Sequence, residues 1–390
     1  MNNKVVLAFS GGLDTTYCLT YLIEKGFEVY TAFVNTGGID EAGSEHIKSR
    51  SLSLGAKEHF TINAEDSFFN KVIQYIIKFN SCYQDDYPLL CSDRYVIAEE
   101  VIKIANKLNA DNVAHGCTNI GNDQVRFDSA FLFLNNKINI IKPIKEQNIT
   151  RDEEIEFLKN KGVNIEFKYS KYSINQNILG CTISGSEIDK HEEPESCAYQ
   201  LHGNSHNGNS EYLTIEIKAG VPVKLNSESL TGSEILKKLN VIGSKFSIGK
   251  EIYTGDCIIG IKGRILFEAP GIFILMKAWK KVTQYVLTKQ QLSFFRFSSE
   301  KWGDLVYSGL YFEPLCRDLE CMIDNSFKNI TGTVKIKLSD NNFEVVEVKT
   351  PLSLFNSDVA VYAQKSKWTN EVTDGFIKLH TLQQNISGSR

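Results

Sequence analysis

The sequence predicts an α/β fold with a doubly wound parallel sheet in its first half and an α+β domain in its second half. Up to residue 168, short β-branched runs alternate with segments of helical periodicity. Strands that alternate with helices form a parallel sheet, because each helix returns the chain to begin a neighbouring strand in the same direction. Beyond residue 168 this alternation is lost, and residues 203–210 form a linker rich in Gly, Asn and Ser.

The first half is predicted to contain five strands and five helices. The strands are predicted at residues 4–9, 27–35, 58–62, 111–114 and 138–142. Four helices are predicted at residues 15–25, 41–54, 64–79 and 92–108. The fifth begins at the capping box Thr150-Arg151-Asp152-Glu153 and ends at Gly162, because a Thr and a Glu three residues apart can bond each other's backbone N–H groups.

The second half mixes strands and helices less regularly. Strands are predicted at residues 212–218, 221–225, 257–261, 264–267 and 332–337, and helices at residues 233–239 and 278–292. From residue 366 onward the apolar positions are too sparse for the segment to pack alone, so we expect it to fray or to pack on another subunit. The predicted units are therefore residues 1–168, 169–365 and 366–390.

The composition is typical of a soluble globular protein. Hydrophobic residues make up 42% and charged residues 23%, and the formal net charge is -4, so the basic excess of a nucleic-acid-binding protein is missing. The nine cysteines are scattered without a C-x-x-C pair, which predicts reduced thiols and no zinc site. With no N-terminal targeting segment and no apolar stretch of bilayer length, we expect a cytoplasmic protein that does not bind membranes.

A glycine pair stands between the first predicted strand and the first predicted helix, in the string Ser10-Gly11-Gly12-Leu13-Asp14-Thr15. Glycine lets the backbone approach a phosphate closely, and a helix N-terminus offers N–H groups and a positive dipole. The string matches neither G-x-x-x-x-G-K-[ST] nor G-x-G-x-x-G. It resembles the S-G-G-x-D-[ST] loop of the ATP pyrophosphatases, which cleave ATP between the α- and β-phosphates. The alternative is a tight strand–helix turn without a ligand.

A second polar loop, residues 114–127, follows the fourth predicted strand. It contains a threonine, several amides, a carboxylate and a guanidinium within a few residues. In an open α/β sheet, ligands bind beyond the carboxyl ends of the strands, where this loop is expected to lie. A solvated connecting loop is the alternative.

The two loops together resemble the argininosuccinate synthase family. The most specific string is Gly121-Asn122-Asp123-Gln124-Val125-Arg126-Phe127, and the resemblance continues through residues 172–177, 260–264 and 351–356, so it covers nearly the whole chain. It implies an α/β nucleotide-binding domain and an α+β synthetase and multimerisation domain. It also implies a homotetramer, with the C-terminal segment reaching across subunits.

The resemblance implies a ligase that joins citrulline to aspartate at the expense of ATP, in arginine biosynthesis. In that family the ureido oxygen of citrulline attacks the α-phosphorus to form citrullyl-AMP and pyrophosphate. The aspartate amine then displaces AMP. Neither step needs a covalent enzyme nucleophile, so catalysis depends on positioning and on charge neutralisation. The sequence accordingly contains no convincing Ser-His-Asp or Cys-His set.

The resemblance also implies the site residues. ATP, with Mg²⁺ at its pyrophosphate end, is assigned to Ala8, Phe9, Ser10, Gly11, Gly12, Leu13, Asp14, Thr15, Thr16, Val34 and Gly116. Aspartate is assigned to Thr118, Asn122 and Asp123. Citrulline is assigned to Tyr87, Ser92, Asn122, Arg126, Ser173 and Thr182, with Arg126 offering a bidentate grip on its carboxylate. Asp14, Asp123 and Arg126 are the implied catalytic residues, and no resident protein metal site is implied.

The chain departs from the family pattern in the implied citrulline pocket. A family Glu at the amino-acid end of citrulline aligns with Gly255, and a family Tyr aligns with Phe267. Either Glu251 or Asp256 compensates, or the chain belongs to a divergent subfamily. A sharper hypothesis is that the pocket accepts a citrulline whose amine is acylated and needs no carboxylate partner. The preceding family Thr beside Ser92 is replaced by Cys91.

Two other functions are left open by the residues. One is another adenylating enzyme of this superfamily, such as an amidating synthetase or a thiolase that uses Cys18 or Cys117. Cys18 lies one turn inside the first predicted helix, where a core position is expected. The other is a non-catalytic regulator that binds ATP and amino acids. His115 is interpreted as a packed or hydrogen-bonded structural histidine.

Overall fold

The computed structural model describes residues 2–118, 121–163, 171–201 and 210–389. The predicted boundary at residue 168 and nearly all of the predicted linker lie outside these residues. The first half contains five strands, β1 (Lys4–Ala8), β2 (Glu28–Asn35), β3 (Glu58–Asn63), β4 (Asn112–Ala114) and β5 (Asn139–Ile141). They form one parallel sheet in the order β3-β2-β1-β4-β5. The predicted doubly wound sheet is confirmed, and the direction of winding reverses between β1 and β4.

Eight helices accompany this sheet: α1 (Leu13–Glu24), α2 (Glu41–Ser53), α3 (Glu65–Phe68), α4 (Gln74–Phe79), α5 (Asp93–Leu108), α6 (Asn122–Leu134), α7 (Pro143–Gln147) and α8 (Arg151–Asn160). The predicted capping box is present at the start of α8. The prediction of helical structure over residues 64–79 is confirmed from Glu65 onward, but Phe69–Ile73 form a π-helical turn between α3 and α4. The wider turn accompanies burial of the adjacent Phe68 and Phe69 in the core.

The second half contains eleven described strands, with helices between them. The strands are β6 (Ser173–Asn177), β7 (Gly180–Ser184), β8 (Glu211–Lys218), β9 (Val221–Leu225), β10 (Glu228–Ser229), β11 (Lys250–Asp256), β12 (Lys262–Glu268), β13 (Gly332–Ser339), β14 (Asn342–Lys349), β15 (Ala360–Val361) and β16 (Lys365–Ser366). Antiparallel sheets run in the orders β10-β9-β8-β13-β14 and β11-β12-β7-β6. The helices are α9 (Gly232–Lys245), α10 (Pro270–Val286), α11 (Lys289–Tyr307), α12 (Pro314–Phe327), α13 (Asn370–His380) and α14 (Leu382–Gly388). This is the predicted α+β architecture.

Two predicted elements of the second half are wrong. Residues 257–261 form the turn between β11 and β12, closed by a 2.8 Å bond from the Cys257 N–H to the Ile261 carbonyl, with Gly260 at φ 84°. The turn was predicted as a strand because most of its residues are apolar. The predicted helix over residues 278–292 spans the end of α10 and the start of α11. Thr288 interrupts it by capping α11 in a box with Gln291.

The two halves share one of the three clusters of buried residues in the described part of the chain. A single cluster of buried residues includes Val6 of β1 and Tyr95 of α5 together with Trp279 of α10 and Ile336 of β13. The hairpin of β6 and β7 also joins the first sheet, because the Ile178 N–H donates to the Thr36 carbonyl at 3.0 Å. The second half is thereby held against the carboxyl end of β2.

The C-terminal helices lie apart from this core. No residue of α13 or α14 is buried, and the exposed side chains include Phe376 and Leu379. The segment therefore does not pack on its own chain. No helix in the described part of the chain has the length and apolarity needed to cross a membrane.

Candidate active site

The predicted phosphate loop joins β1 to α1 at the carboxyl edge of the sheet. Gly11 has φ 75°, a left-handed conformation that favours glycine, and a Cβ there would lie 3.1 Å from Ile47. Gly12 is the N-cap of α1 and provides no side-chain cap. The Ser10 and Thr15 hydroxyls lie 3.2 Å apart beside it. The loop thus presents helix N–H groups and two hydroxyls, as a phosphate cradle requires.

The second predicted loop lies directly against the first. A Cβ added to Gly116 would stand 3.2 Å from the backbone carbon of Asp14 and 3.2 Å from its Cβ. This close approach explains why position 116 is glycine. The loops that the sequence assigns to ATP and to aspartate are therefore neighbours across β1 and β4.

The remaining residues predicted to hold ATP lie close to this loop. Val34 is near the end of β2, and the carbonyl of Ala32 accepts from the Phe9 N–H at 2.9 Å. Since alternate residues of a strand point their backbone groups to the same side, Val34 points toward β1, beyond the last β1 pairing at Ala8. Its backbone is left open for a base. Leu13 and Thr16 are buried, and they support the loop from α1.

A carboxyl pair lies beneath the phosphate loop and was not predicted. Glu154 of α8 is 2% exposed. Burial, and the nearby Asp14 carboxylate, raise its pKa to about 8, although the Arg151 guanidinium opposes the shift. Burial raises the pKa of Asp14 as well, again against Arg151. The Glu154 carboxyl therefore retains a proton that it can donate to Asp14.

His115 holds the second loop. The Cys117 N–H donates to its Nδ1 at 3.1 Å, so Nδ1 is unprotonated and Nε2 carries the hydrogen. Nε2 lies 2.9 Å from Asp128, which also bonds Lys142 at 3.0 Å. His115 is buried and fully engaged, which agrees with its interpretation as a structural residue. Cys18 is buried too and donates to the His115 carbonyl at 3.9 Å.

Asp123, at the start of α6, lies between two guanidinium groups. Arg94 Nε donates to its Oδ2 at 3.0 Å, and Arg126 Nη1 donates to its Oδ1 at 2.7 Å. Burial opposes ionisation of Asp123, but the two charges and their hydrogen bonds outweigh it and lower the pKa of the carboxyl. Asp123 is therefore an ionised, fixed group and a poor proton acceptor.

Arg126 is oriented by the chain on three sides. Its Nε donates to the Tyr307 carbonyl at 2.9 Å, and its guanidinium carbon lies 4.7 Å from the centre of the Tyr307 ring. Its Nη1 is engaged by Asp123. Its Nη2 is buried and has no hydrogen-bond partner among the described residues. Such a cationic donor suits the carboxylate of a ligand.

Tyr307 is a site residue that the sequence analysis missed. The Asn122 amide donates to its hydroxyl at 3.0 Å, and that hydroxyl donates to the Asp256 carbonyl at 3.2 Å. The Asn122 carbonyl accepts from the Ile258 N–H at 2.9 Å. Tyr307 lies 185 residues from Asn122, at the end of a long helix, so no local pattern marks it.

Two of the predicted citrulline residues, Tyr87 and Ser92, are buried, and the Tyr87 ring centre lies 6.2 Å from that of Tyr307. Tyr87 is buried, and burial, with Cys91 nearby, raises its pKa well above the usual value, against the effect of Arg126. Ser92 is buried and donates its hydroxyl to the Leu89 carbonyl at 2.7 Å. Its oxygen can therefore only accept a bond from a ligand.

The remaining citrulline residues lie on the hairpin of β6 and β7. Thr182 pairs with Asn175, and its hydroxyl lies 3.5 Å from the Asn175 carbonyl. The Asn175 side chain accepts from Arg94 Nη2 at 2.9 Å. Ser173 is exposed two residues earlier on the same strand face. Arg94 thus joins this hairpin to Asp123.

Thr118, predicted to bind aspartate, is exposed in the second loop, next to residues 119 and 120, which lie outside the described residues.

The two departures from the family pattern have a common structural setting. A Cβ on Gly255 would lie 2.1 Å from the Tyr253 hydroxyl and 2.2 Å from the side-chain Oε1 of Gln84, so these two side chains occupy the space that a side chain at position 255 would need. Asp256 is bonded by Gln84 at 2.8 Å and by Lys262 at 2.6 Å. Phe267 is buried against Tyr87, with ring centres 5.8 Å apart. Glu251 pairs with Phe267 and is exposed.

No group of three potential metal-binding side chains occurs among residues 2–118, 121–163, 171–201 and 210–389. A magnesium ion usually needs fewer, because nucleotide phosphates and water supply most of its ligands. Asp14, with the hydroxyls of Ser10 and Thr15 at the same loop, fits such an ion when it arrives with a nucleotide.

Comparison with known proteins identifies relatives over the whole chain. Residues 4–164 match the model described as the arginosuccinate synthase N-terminal HUP domain, and residues 172–387 match the arginosuccinate synthase C-terminal domain. The chain is 40% identical over 388 residues to argininosuccinate synthase of Xanthomonas axonopodis pv. citri, with 98% of this chain and 94% of that one covered. It is 38% identical over 387 residues to argininosuccinate synthase of Methanocaldococcus jannaschii, with coverage of 98% and 97%.

Proposed function

The chain belongs to the argininosuccinate synthase family, and from this membership we propose that the crevice between β1 and β4 joins citrulline to aspartate. The enzyme is an ATP-dependent carbon–nitrogen ligase of arginine biosynthesis, and its products are argininosuccinate, AMP and pyrophosphate. The observation that carries the assignment is the contact of Gly116 with Asp14, which brings the two signature loops together.

ATP occupies the loop from Ala8 to Thr16, with its pyrophosphate at the N-terminus of α1. The glycine backbone, the uncapped N–H groups and the Ser10 and Thr15 hydroxyls support this assignment. Val34 meets the base through its backbone. Asp14 would hold the Mg²⁺ that accompanies the nucleotide, and this ion would supply positive charge to the phosphates.

Adenylation is a displacement at the α-phosphorus of ATP. The citrulline ureido oxygen forms the new oxygen–phosphorus bond while the bond to the β-phosphate bridging oxygen breaks, and pyrophosphate leaves. Helix N–H groups at the loop stabilise the charge that develops on the leaving group. The protein supplies position and charge and forms no bond to the substrates.

Aspartate completes the reaction with its amine, which bonds the activated ureido carbon as the carbon–oxygen bond to AMP breaks. The aspartate ammonium must release one proton to solvent before it attacks, and its nitrogen gives up a second proton as the guanidino group of the product forms. The lowered pKa of Asp123 makes that carboxylate a poor general base, so its role is to orient the amine. Arg94 and Arg126 add positive potential that favours the neutral, nucleophilic form of the amine.

Citrulline binds between Arg126 and the hairpin of β6 and β7. The buried Nη2 of Arg126 receives the citrulline carboxylate, while Nε and Nη1 keep their bonds to the chain. Ser92 accepts from the substrate, and Tyr87, Ser173 and Thr182 line the pocket. Near Gly255 the network of Gln84, Tyr253 and Asp256 takes the place of the family Glu.

The subunit organisation follows the family as well. Residues 1–168 form the nucleotide-binding domain, residues 169–365 the catalytic and multimerisation domain, and residues 366–390 an intersubunit tail. The unpartnered apolar side chains of α13 support a homotetramer in which this tail covers another subunit. We place the enzyme in the cytoplasm.

Release of AMP and pyrophosphate tests the assignment. Both products are expected only when ATP, citrulline and aspartate are present together. Product formation with a different acceptor would favour another adenylating synthetase, and no release with any combination would favour a binding regulator. Replacing citrulline by N-acetylcitrulline tests the pocket, and we expect the free amino acid to be preferred if the Asp256 network binds its ammonium group.

A further inference from the structure

Tyr307 belongs to the second half of the chain but contacts two ligand-binding residues of the first half. It is the last residue of α11 and is 2% exposed. Its ring lies over Arg126, and its hydroxyl accepts from Asn122. The family resemblance assigns both of these residues to the amino-acid substrates, and it assigns nothing to Tyr307.

The ring of Tyr307 is the middle layer of a stack. The Tyr83 ring lies on one face at 3.5 Å between centres and 7° between planes, and the Arg126 guanidinium lies on the other face at 4.7 Å. The Tyr307 carbonyl also accepts from Arg126 Nε at 2.9 Å. This arrangement fixes the plane of the guanidinium and leaves Nη2 buried without a hydrogen-bond partner among the described residues.

The hydroxyl of Tyr307 connects α6 to the turn after β11. It accepts from the Asn122 Nδ2 at 3.0 Å and donates to the Asp256 carbonyl at 3.2 Å. The Asn122 Oδ1 accepts from the Ile258 N–H at 2.9 Å. Both ends of the amide are therefore oriented, and one N–H of Nδ2 remains for a ligand.

We propose that Tyr307 is a positioning residue that aligns Asn122 and Arg126 for citrulline and aspartate and ties their alignment to the docked turn at residues 256–258. The proposal rests on the proposed function. The ring of Tyr307 holds Arg126 and the hydroxyl of Tyr307 holds Asn122, so substitutions can separate the two contacts. ATP binds to the loop of β1 and α1, away from Tyr307, and its binding should not depend on this residue.

The primary variant is Tyr307→Phe, which keeps the stack and removes only the hydroxyl. A hydrogen bond of this kind contributes about 0.5–1.5 kcal/mol, which corresponds to about a two- to twelvefold change in binding. We expect the KM for aspartate and for citrulline to rise by about that factor while the KM for ATP stays unchanged. Tyr307→Leu removes the stack as well and should raise the KM for citrulline further, because Arg126 loses its platform.

Tyr311→Phe is the matched control. Tyr311 is equally buried, stacks on Tyr95 at 4.8 Å, and donates its hydroxyl to the Lys71 carbonyl at 2.9 Å, outside the pocket. Its loss is expected to lower Tm without changing any KM. If Tyr307→Phe likewise changes only Tm, its hydroxyl has a structural role alone and the proposal is wrong.

A double-mutant cycle with Asn122→Ala tests whether Tyr307 acts through Asn122. Tyr307→Phe should add little to the aspartate KM once Asn122 is removed, because contacting residues are not additive. Full additivity would overturn the proposal, and the cycle remains decisive if Tyr307→Leu does not fold. If wild-type enzyme releases no AMP and pyrophosphate with citrulline and aspartate, the proposed function fails; if wild-type is active and Tyr307→Phe is kinetically identical to it, this inference alone fails.

Discussion

Arg94 places two of its nitrogens on one oxygen of Asp123, with Nε at 3.0 Å and Nη2 at 2.9 Å from Oδ2. Nη2 also donates to Asn175, on the strand that carries Ser173. The same guanidinium thus fixes a carboxylate at the start of α6 and a strand of the second half. Asp123 is consequently one member of a charged network and not an isolated carboxylate.

Arg94→Ala is expected to raise the KM for aspartate about tenfold or more and to reduce the free energy of unfolding by about 2 kcal/mol. Removal of one partner from a buried ion pair usually costs about 3–5 kcal/mol. Asp123 keeps its bond from Arg126, and Asp93, the other carboxylate bonded to Arg94, keeps its bond from the Thr36 hydroxyl, so the loss should be smaller. Steady-state kinetics and urea denaturation measure the two effects. Arg94→Lys should recover part of the stability but less of the aspartate affinity, because an ammonium cannot bond Asp123 and Asn175 in the same fork geometry.

Arg317→Ala is the control for Arg94. Arg317 pairs with Glu320 at 2.9 Å and lies over the Tyr311 ring at 4.3 Å, so its loss should lower stability while leaving the aspartate KM unchanged. An unchanged aspartate KM in Arg94→Ala would show that Arg94 only stabilises the fold.

Glu154→Gln is expected to gain stability relative to wild-type protein as pH rises from about 4.5 to about 8. Burial and Asp14 raise the pKa of Glu154 from 4.5 to about 8, so the folded protein retains a proton that the unfolded chain releases. Its stabilising contribution is complete below pH 4.5 and is lost as pH rises through the folded value. Gln stays neutral and can still donate to Asp14. The measurement is Tm against pH for both proteins.

Glu153→Gln, one residue earlier, provides a control of opposite sign. Hydrogen bonds from the Thr150 backbone and hydroxyl lower the pKa of Glu153, so its contribution to stability is present above pH 4.5 and is lost as pH falls. Parallel Tm curves for wild-type protein and Glu154→Gln between about pH 4.5 and about pH 8 would contradict the proton held at Glu154.

The sequence was sufficient for the parallel sheet because its buried strands are continuous apolar runs separated by capped helices. β6 was missed since Ser173–Asn177 is almost entirely polar and four of its residues are exposed, so it has no alternating pattern. The turn at residues 257–261 was mistaken for a strand because it is rich in apolar residues and because β11, which ends directly before it, was not predicted. An alternating apolar pattern marks a strand only when one of its faces is buried. In the sheet β11-β12-β7-β6, burial is decided by packing against residues distant in sequence, so the pattern is weak.

The residues of the candidate site also differ in whether a local sequence pattern marks them. Ser10–Asp14 and Gly121–Arg126 could be predicted because a phosphate loop and a substrate loop leave contiguous strings in the chain. Arg94, Glu154 and Tyr307 could not, because each reaches the site from a different helix and its partner is distant in sequence. Such residues are recognised only after the fold brings their polar atoms together.

Gly255→Ala is expected to lower the free energy of unfolding by about 1–3 kcal/mol and to raise the KM for citrulline. The added Cβ would lie 2.1 Å from the Tyr253 hydroxyl and 2.2 Å from Gln84, so the network that reaches Asp256 must shift. Gly375→Ala is the control, since nothing lies within 4 Å of a Cβ there and α13 is exposed. That substitution should stabilise its helix by up to about 1 kcal/mol without kinetic effect. Wild-type citrulline kinetics in Gly255→Ala would exclude the Gln84 network from the citrulline pocket.

Phe376→Asp and Leu379→Asp are expected to dissociate the proposed homotetramer. Both side chains belong to α13 and are 63% and 75% exposed on their own chain, so each would bury apolar surface only against another subunit. A charge at such a buried position costs more than the contact contributes, and the tail should detach. Sedimentation velocity would then give a smaller mass than for wild-type protein. Lys378→Asp reverses a charge on the same helix and should preserve the mass if the apolar side chains, and not the helix as a whole, hold the subunits together.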